Sequence, residues 1–156
     1  MNNKFKESEV LGREIFKQTL SCSSKVNNYY FTEDQYCPVD VIWENNDEKY
    51  VGEIKYRSGY TSTDKIIQNG GALLEKSKYD ELKEYQYNSG YTPIYITEFS
   101  DGVGYIWDLS DMNNITWSDK FLPKTTNANN GKRDKAITYL PLDKGKRFKF
   151  KKLGTN

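Results

Sequence analysis

Apolar residues recur at helical spacing over residues 4–20, KFKESEVLGREIFKQTL, where Val10, Leu11, Ile15, Thr19 and Leu20 fall near one face with Phe5 and Phe16 flanking them. The pattern predicts an amphipathic helix, with Gly12 as a small defect in it. After a polar stretch from Ser21 to Asn28, the run YYFTEDQYCPVDVIWENNDEKYVGEIKYR is rich in aromatic and β-branched residues. It reads as strands interrupted at EDQ and at NNDE, with Pro38 marking a strand start. Helical period returns over residues 64–88, opened by Asp64 and stopped by Gly90. Gly70 and Gly71 weaken that helix unless a neighbour packs very close or the helix breaks there. TPIYITEF and GVGYIWDL predict two further strands joined by the turn signal SDG. Ser110 to Gly131 is loop-like, and the chain closes with a strand-like ITYLPL and a basic tail. The order α, β-hairpin, α, β, β, loop, β predicts a mixed α/β or α+β domain with a central sheet.

The 156 residues suit one domain, taken as residues 1–143 with a basic strand or tail over 144–156. With 13 Tyr, 7 Phe and 3 Trp supplementing modest aliphatic content, the chain can bury a core, which excludes wholesale disorder. No apolar run approaches a membrane span and MNNKFKESEV has no signal-like stretch, so the expected location is the cytoplasm. The Asn-, Lys- and Tyr-rich composition fits an AT-rich bacterial genome or a phage replicating in such a host. Cys22 and Cys37 are too few and too far apart for a disulfide framework or a thiolate zinc site, and both are expected to be reduced. The absence of histidine removes Ser-His-Asp and Cys-His catalysis, phosphorelay and His-ligated zinc. Any reaction must use carboxylates, Lys, Tyr, Ser or a metal held by oxygen.

The net charge of +1 is unevenly placed: Lys144, Lys146, Arg147, Lys149, Lys151 and Lys152 leave residues 1–143 with a net −5. The alternation of these cations with Phe148 and Phe150 is either a final edge strand protected by lysines or an arm for phosphates.

The segment with most chemistry is Pro38–Glu44 followed, after a turn, by Lys49–Arg57. A two- or four-residue loop centred on Asn46-Asp47 pairs residues whose numbers sum to 93, placing Glu44 opposite Lys49 and Asp40 opposite Glu53. Alternation adds Lys55 to the Glu53 face and sends Val39, Val41, Trp43, Ile54 and Tyr56 to the other, which becomes the core side. Facing carboxylates repel unless one is protonated or a cation lies between them. Oxygen donors of this kind suit Mg²⁺, with Mn²⁺ as substitute, and such a metal with Lys55 beside it would serve phosphodiester hydrolysis. The bland alternative is a solvated hairpin face of alternating charge.

Asp40 after Pro38-Val39, then Glu53-Ile54-Lys55 thirteen positions on and a helix beyond, resembles the PD-(D/E)XK nuclease superfamily, which includes restriction endonucleases and Holliday-junction resolvases. The resemblance implies a restriction endonuclease-like core, α-β-β-β-α-β around a mixed sheet flanked by helices, onto which residues 4–108 can be laid. It implies a Mg²⁺-dependent DNA hydrolase in which Asp40 and Glu53 hold the metal and Lys55 positions the water. Many members add an acidic residue from the first helix, for which Glu14 is the choice here and Glu9 the substitute, and a polar residue from the helix after the ExK strand, for which Gln68 is the choice. Two departures stand out: Val39 rather than Pro precedes the Asp, and Ala72 occupies the place of a Tyr found in one branch.

DNA as partner calls for cations around such a site. Arg57, Lys65 and Tyr60 are contact candidates, as are Lys132 and Arg133 within the segment from Lys124 to Lys135, and the tail. An edge strand near the carboxyl end would be able to join two copies into a homodimer. Against the endonuclease, with structured or branched DNA as its resolvase-like substrate, stand two other readings. One is a nuclease-fold module that binds nucleic acid or protein without hydrolysing. The other is a protein-binding domain using its aromatic surface.

Overall fold

A computed structural model describes residues 3–33, 37–59, 61–123 and 131–151. Helix α1 (Asn3–Ser21) is followed by strands β1 (Asn28–Phe31), β2 (Val41–Asn45) and β3 (Glu48–Arg57). Helix α2 (Ser62–Asn69), strand β4 (Ala72–Glu75) and helix α3 (Lys76–Ser89) come next, then strands β5 (Thr92–Phe99), β6 (Val103–Asp108), β7 (Ser118–Pro123), β8 (Lys132–Leu140) and β9 (Lys146–Lys149). A six-stranded mixed sheet runs β1-β2-β3-β5-β6-β9, parallel only between β3 and β5, and a three-stranded antiparallel sheet runs β4-β8-β7. The class is α+β, a central mixed sheet flanked by helices. The expected order α-β-β-β-α-β is carried by α1, β1, β2, β3, α3 and β5, with α2 and β4 inserted. Among the described residues no helix is long and apolar enough to cross a membrane.

Both faces of the main sheet are covered. Phe16 and Leu20 of α1 close on Val41, Trp43, Ile94 and Ile96 on one face. On the other, Leu82 of α3, Ala72 and Leu74 of β4 and Leu140 of β8 join Val39, Val51, Tyr95 and Trp107. The periodicity of α1 is as expected at Ile15, Phe16 and Leu20, which are buried, while Val10 is 60 % exposed. Gly12, a defect by helix propensity, is the point of closest approach. A Cβ there would lie 3.2 Å from Tyr56 Cβ and 3.3 Å from Ile54 Cγ2, so its absence lets α1 lie against β3.

Three expectations are corrected. The single helix over 64–88 is two helices and a strand, because Gly70 adopts a left-handed φ of 74° and Gly71 runs so close to β8 that a Cβ would meet the Leu140 carbonyl oxygen at 2.2 Å. The stretch from Ser110 to Gly131 is not all loop, since Ser118–Pro123 pairs with β8, whose own cross-strand partners supply a pattern that the sequence of β7 lacks. The third concerns Val39 and Asp40. The hairpin forms with the two-residue turn at Asn46-Asp47, Asn46 at φ 56°, and every ladder pair from Val41↔Gly52 to Asn45↔Glu48 sums to 93. Asp40 leaves that register: its N–H donates to the Gly52 carbonyl at 2.8 Å, so that Asp40 and Val41 both face Gly52, as in a β-bulge. The extra residue reverses the alternation, and Val39 is buried with Val51 rather than with Val41.

Within the basic tail, Lys146–Lys149 forms an edge strand of the main sheet. It pairs antiparallel with β6, and Phe148 lies over Gly104, where a Cβ would come within 2.3 Å of its ring. Both cysteines are free.

Candidate functional site

The bulge aims the Asp40 carboxylate. Its Oδ2 accepts the Ile54 N–H at 2.8 Å and its Oδ1 accepts Arg13 Nη2 at 2.8 Å. Arg13 also donates to the Thr32 carbonyl, and the Thr32 N–H donates to the Asp40 carbonyl at 3.0 Å, so α1, β1 and the entrance to β2 are tied at one point. Glu9, one helical turn earlier, lies 3.7 Å from the same guanidinium nitrogen.

Glu53 is buried at 6 % exposure beside Ile54, whose N–H holds the Asp40 carboxylate. Burial first, and then the Asp40 charge, push its carboxyl up to about 8, against the opposing pull of Lys78 and Lys55. At neutral pH without a metal Glu53 is therefore mostly protonated. Lys78 Nζ on α3 stands 3.6 Å from Glu53 Oε1 and 3.5 Å from Glu81 Oε2. Although burial opposes it, the charges of Glu53, Glu81 and Asp40 hold the Lys78 ammonium above the ordinary lysine range.

Lys55, two residues along the same strand face, is half-buried, and that burial pushes its ammonium below the ordinary range while Glu53 and Glu75 act to keep it charged. Arg57 follows on the same face and donates to the Leu73 carbonyl at 3.4 Å, an oxygen that also accepts the Tyr95 hydroxyl at 3.0 Å. Glu75 on β4 pairs with Lys135 of β8 at 2.7 Å. Burial acts to raise the Glu75 carboxyl, but Lys135, Lys55 and Arg57 together hold it below the ordinary range. Glu53, Lys55, Arg57, Glu75, Lys78 and Lys135 thus form one alternating cluster between the two sheets. Glu98 on β5 stands apart, on the α1 side near Gly12, fully buried with neither oxygen hydrogen-bonded among the described residues, and burial with the Asp40 charge raises its carboxyl well above the usual range.

Of the residues singled out by sequence, Asp40, Glu53 and Lys55 are brought together, with Arg57 beyond them. Glu14 is exposed, because the inward position of α1 at that level belongs to Arg13, a cation where an acid was expected. Gln68 is exposed on α2, and the helix that reaches the site is α3 through Lys78. Lys132 and Arg133 are exposed on β8. Tyr60 and Lys124 lie outside the described residues, as does the side chain of Lys65. Arg13, Lys78, Glu75 and Glu98 carried no local signal. Each matters through a partner 20 or more positions away, and the local pairs are Glu9–Arg13 and Lys78–Glu81, each about one helical turn apart.

Among the described residues no group of three or more His, Cys, Asp or Glu is disposed to hold a metal. The candidate donors are the two carboxylates, and Mg²⁺ commonly takes one or two such ligands, completing its shell with water and phosphate oxygens. Two hard oxygen donors close together, one of them kept protonated by burial and then by the other's charge, fit a divalent ion of that kind.

No protein-family model matches this chain, and no curated protein matches it. Among solved structures it is similar to Hjc, a Holliday junction resolvase from the archaeal hyperthermophile Archaeoglobus fulgidus, with 11 % identity, a TM-score of 0.49 and coverage of 82 % of this chain and 83 % of that one.

Proposed function

We propose that this protein is a Mg²⁺-dependent deoxyribonuclease, with Mn²⁺ as substitute, that hydrolyses phosphodiester bonds in DNA. The observation that carries the reading is the Asp40 carboxylate fixed on the Ile54 N–H, at the residue next to the buried Glu53, with Lys55 on the same strand face as Glu53. Buried like-charge pairs with shifted ionisation concentrate at functional sites. Asp40 and Glu53 would hold the ion, which when bound polarises a phosphoryl oxygen and acidifies a water. Lys55, on the same strand face as Glu53, would orient that water and offset charge developing on the phosphate. Lys78 stands 3.6 Å from Glu53 and favours its ionised form, and the Ile54 N–H and Arg13 hold the Asp40 carboxylate.

A second reading is favoured by a specific observation: Asp40 already carries an Arg13 counter-charge and Glu53 a Lys78 counter-charge. Carboxylates already paired in this way would suit a module that binds DNA without cutting it. Calorimetric titration of Mn²⁺ separates the two. The nuclease binds Mn²⁺ with an affinity that Asp40→Asn and Glu53→Gln each lower at least tenfold, and it nicks supercoiled plasmid in the same buffer. No Mn²⁺ uptake together with metal-indifferent DNA binding would replace it with the binding module.

A further inference from the structure

We infer that one face of the small sheet is a rail for DNA phosphates that continues the candidate site, an inference resting on the reading that this site acts on DNA. Ladder registers place residues on the faces of β4, β8 and β7 without ambiguity. Glu75 and Ser118 both face Ile137, Lys120 faces Lys135, Leu122 faces Arg133 and Leu73 faces Tyr139. One face therefore carries Lys120, Arg133 and Lys135 against the single carboxylate Glu75. The other carries Lys132 against Asp119 and Asp134, and beyond them Ala72, Leu74 and Leu140, which are buried in the core. Opposite faces of one hairpin thus have opposite charge.

The cationic face is the one that meets the site. Glu75 feels both Lys55 and Arg57, and Arg57 reaches the Leu73 carbonyl. From there the charges step outward: Lys55 and Arg57, then Lys135 on Glu75, then Lys120 and Arg133, which are exposed. Same-face positions on β8 recur about every 6.8 Å.

Lys120 and Lys135 occupy directly opposed positions, an unfavourable pairing that costs stability. It is tolerated because each leans away from the other. Lys135 pairs with Glu75 at 2.7 Å, and Lys120 donates to the Tyr139 hydroxyl at 2.7 Å with its ammonium 5.5 Å from that ring. These anchors hold two of the cations in place before any ligand arrives, which lowers the ordering cost of binding a polyanion. An exposed Arg beside them supplies the bidentate donor suited to phosphate. Duplex DNA with one scissile phosphate at Asp40 and Glu53 would lay its neighbouring phosphates along this face.

The test is binding of fluorescent duplex and four-way-junction DNA in EDTA, where no metal is present, by wild type, the Lys120→Gln/Arg133→Gln double variant and Lys132→Gln, each confirmed folded by its thermal melt. Loss of two phosphate contacts lowers the slope of log affinity against log salt by about 1.8 and weakens binding about tenfold at moderate salt. Lys132→Gln, on the opposite face of the same strand, leaves slope and affinity at the wild-type values. Equal binding by the double variant and wild type overturns the rail, as does an equal loss in Lys132→Gln or a wild type that binds neither DNA. The two ideas fail separately. Metal-dependent cleavage with unchanged binding by the double variant refutes the rail alone, whereas a lost salt slope in a protein that cuts nothing refutes the nuclease alone.

Discussion

Replacing Glu53 with Gln should make the metal-free protein more stable, and increasingly so as pH rises. Unfolded, the carboxyl titrates near 4.5; folded, it titrates near 8, because burial and Asp40 disfavour its charge. The folded state therefore binds that proton more tightly. The stability it confers is fully present below pH 4.5 and is lost as pH rises through 8. The gap of roughly 3.5 pH units corresponds to about 5 kcal/mol at 1.36 kcal/mol per unit. Part of this is returned in the variant, since Lys78 and Lys55 lose a counter-charge, although Lys78 keeps Glu81 at 3.5 Å. We expect Glu53→Gln to be within about 1 kcal/mol of wild type at pH 5 and about 2–4 kcal/mol more stable at pH 9, at 2–4 °C per kcal/mol for a domain of this size. The assay is thermal unfolding by circular dichroism in EDTA from pH 5 to 9, which should show a melting temperature gain of about 5–15 °C that grows with pH. A gain independent of pH, or a variant less stable than wild type at pH 9, would refute the claim that Glu53 is held buried near Asp40 against its own electrostatics.

Arg13→Gln removes the counter-charge of Asp40 and the donor to Thr32, and urea denaturation should show a loss of about 1–3 kcal/mol. Gly12→Ala places a methyl 3.1 Å from Glu98 Oε1 and 3.2 Å from Tyr56 Cβ, so α1 must shift off the sheet at a cost of about 1–3 kcal/mol, read in the same experiment. Lys78→Ala leaves Glu53 without its α3 cation, and the carboxyl titration, followed by NMR in EDTA, should move further up from about 8. An unchanged or lower value would show that Lys78 does not act on Glu53.

The hairpin was legible because its physics is local. The Asn46-Asp47 turn, the alternation of Val41, Trp43 and Glu44 and the Glu44–Lys49 pair fix a register over a dozen residues, and the structure keeps it from Val41 to Asn45. β5 appears over the same residues, Thr92–Phe99, because its run of β-branched and aromatic residues is bounded by Gly90 and a turn. What escaped depends on distant contacts. A bulge at Asp40 is set by where the Arg13, Thr32 and Gly52 groups lie, none of them a neighbour in sequence. The break at Gly70-Gly71 was visible as a weakness, but its outcome rested on β8 arriving at Leu140. β7 has no apolar alternation to announce it, since one face of its ladder carries lysine and serine. Replacement of the expected helix acid by Arg13 follows from helix rotation: Gly12 has to face β3, which turns Arg13 to the carboxylate and Glu14 to solvent.

The central claim, that Asp40, Glu53 and Lys55 form a hydrolytic centre, is tested most directly by incubating supercoiled plasmid, linear duplex and four-way-junction DNA with wild type and Lys55→Ala in Mg²⁺, Mn²⁺ or EDTA. The account predicts products with wild type and either metal, none in EDTA, and a rate at least about 100-fold lower for Lys55→Ala, in keeping with removal of one charge-stabilising group. Cleavage by Lys55→Ala at the wild-type rate, or no product from any of the three DNAs with either metal, would contradict it.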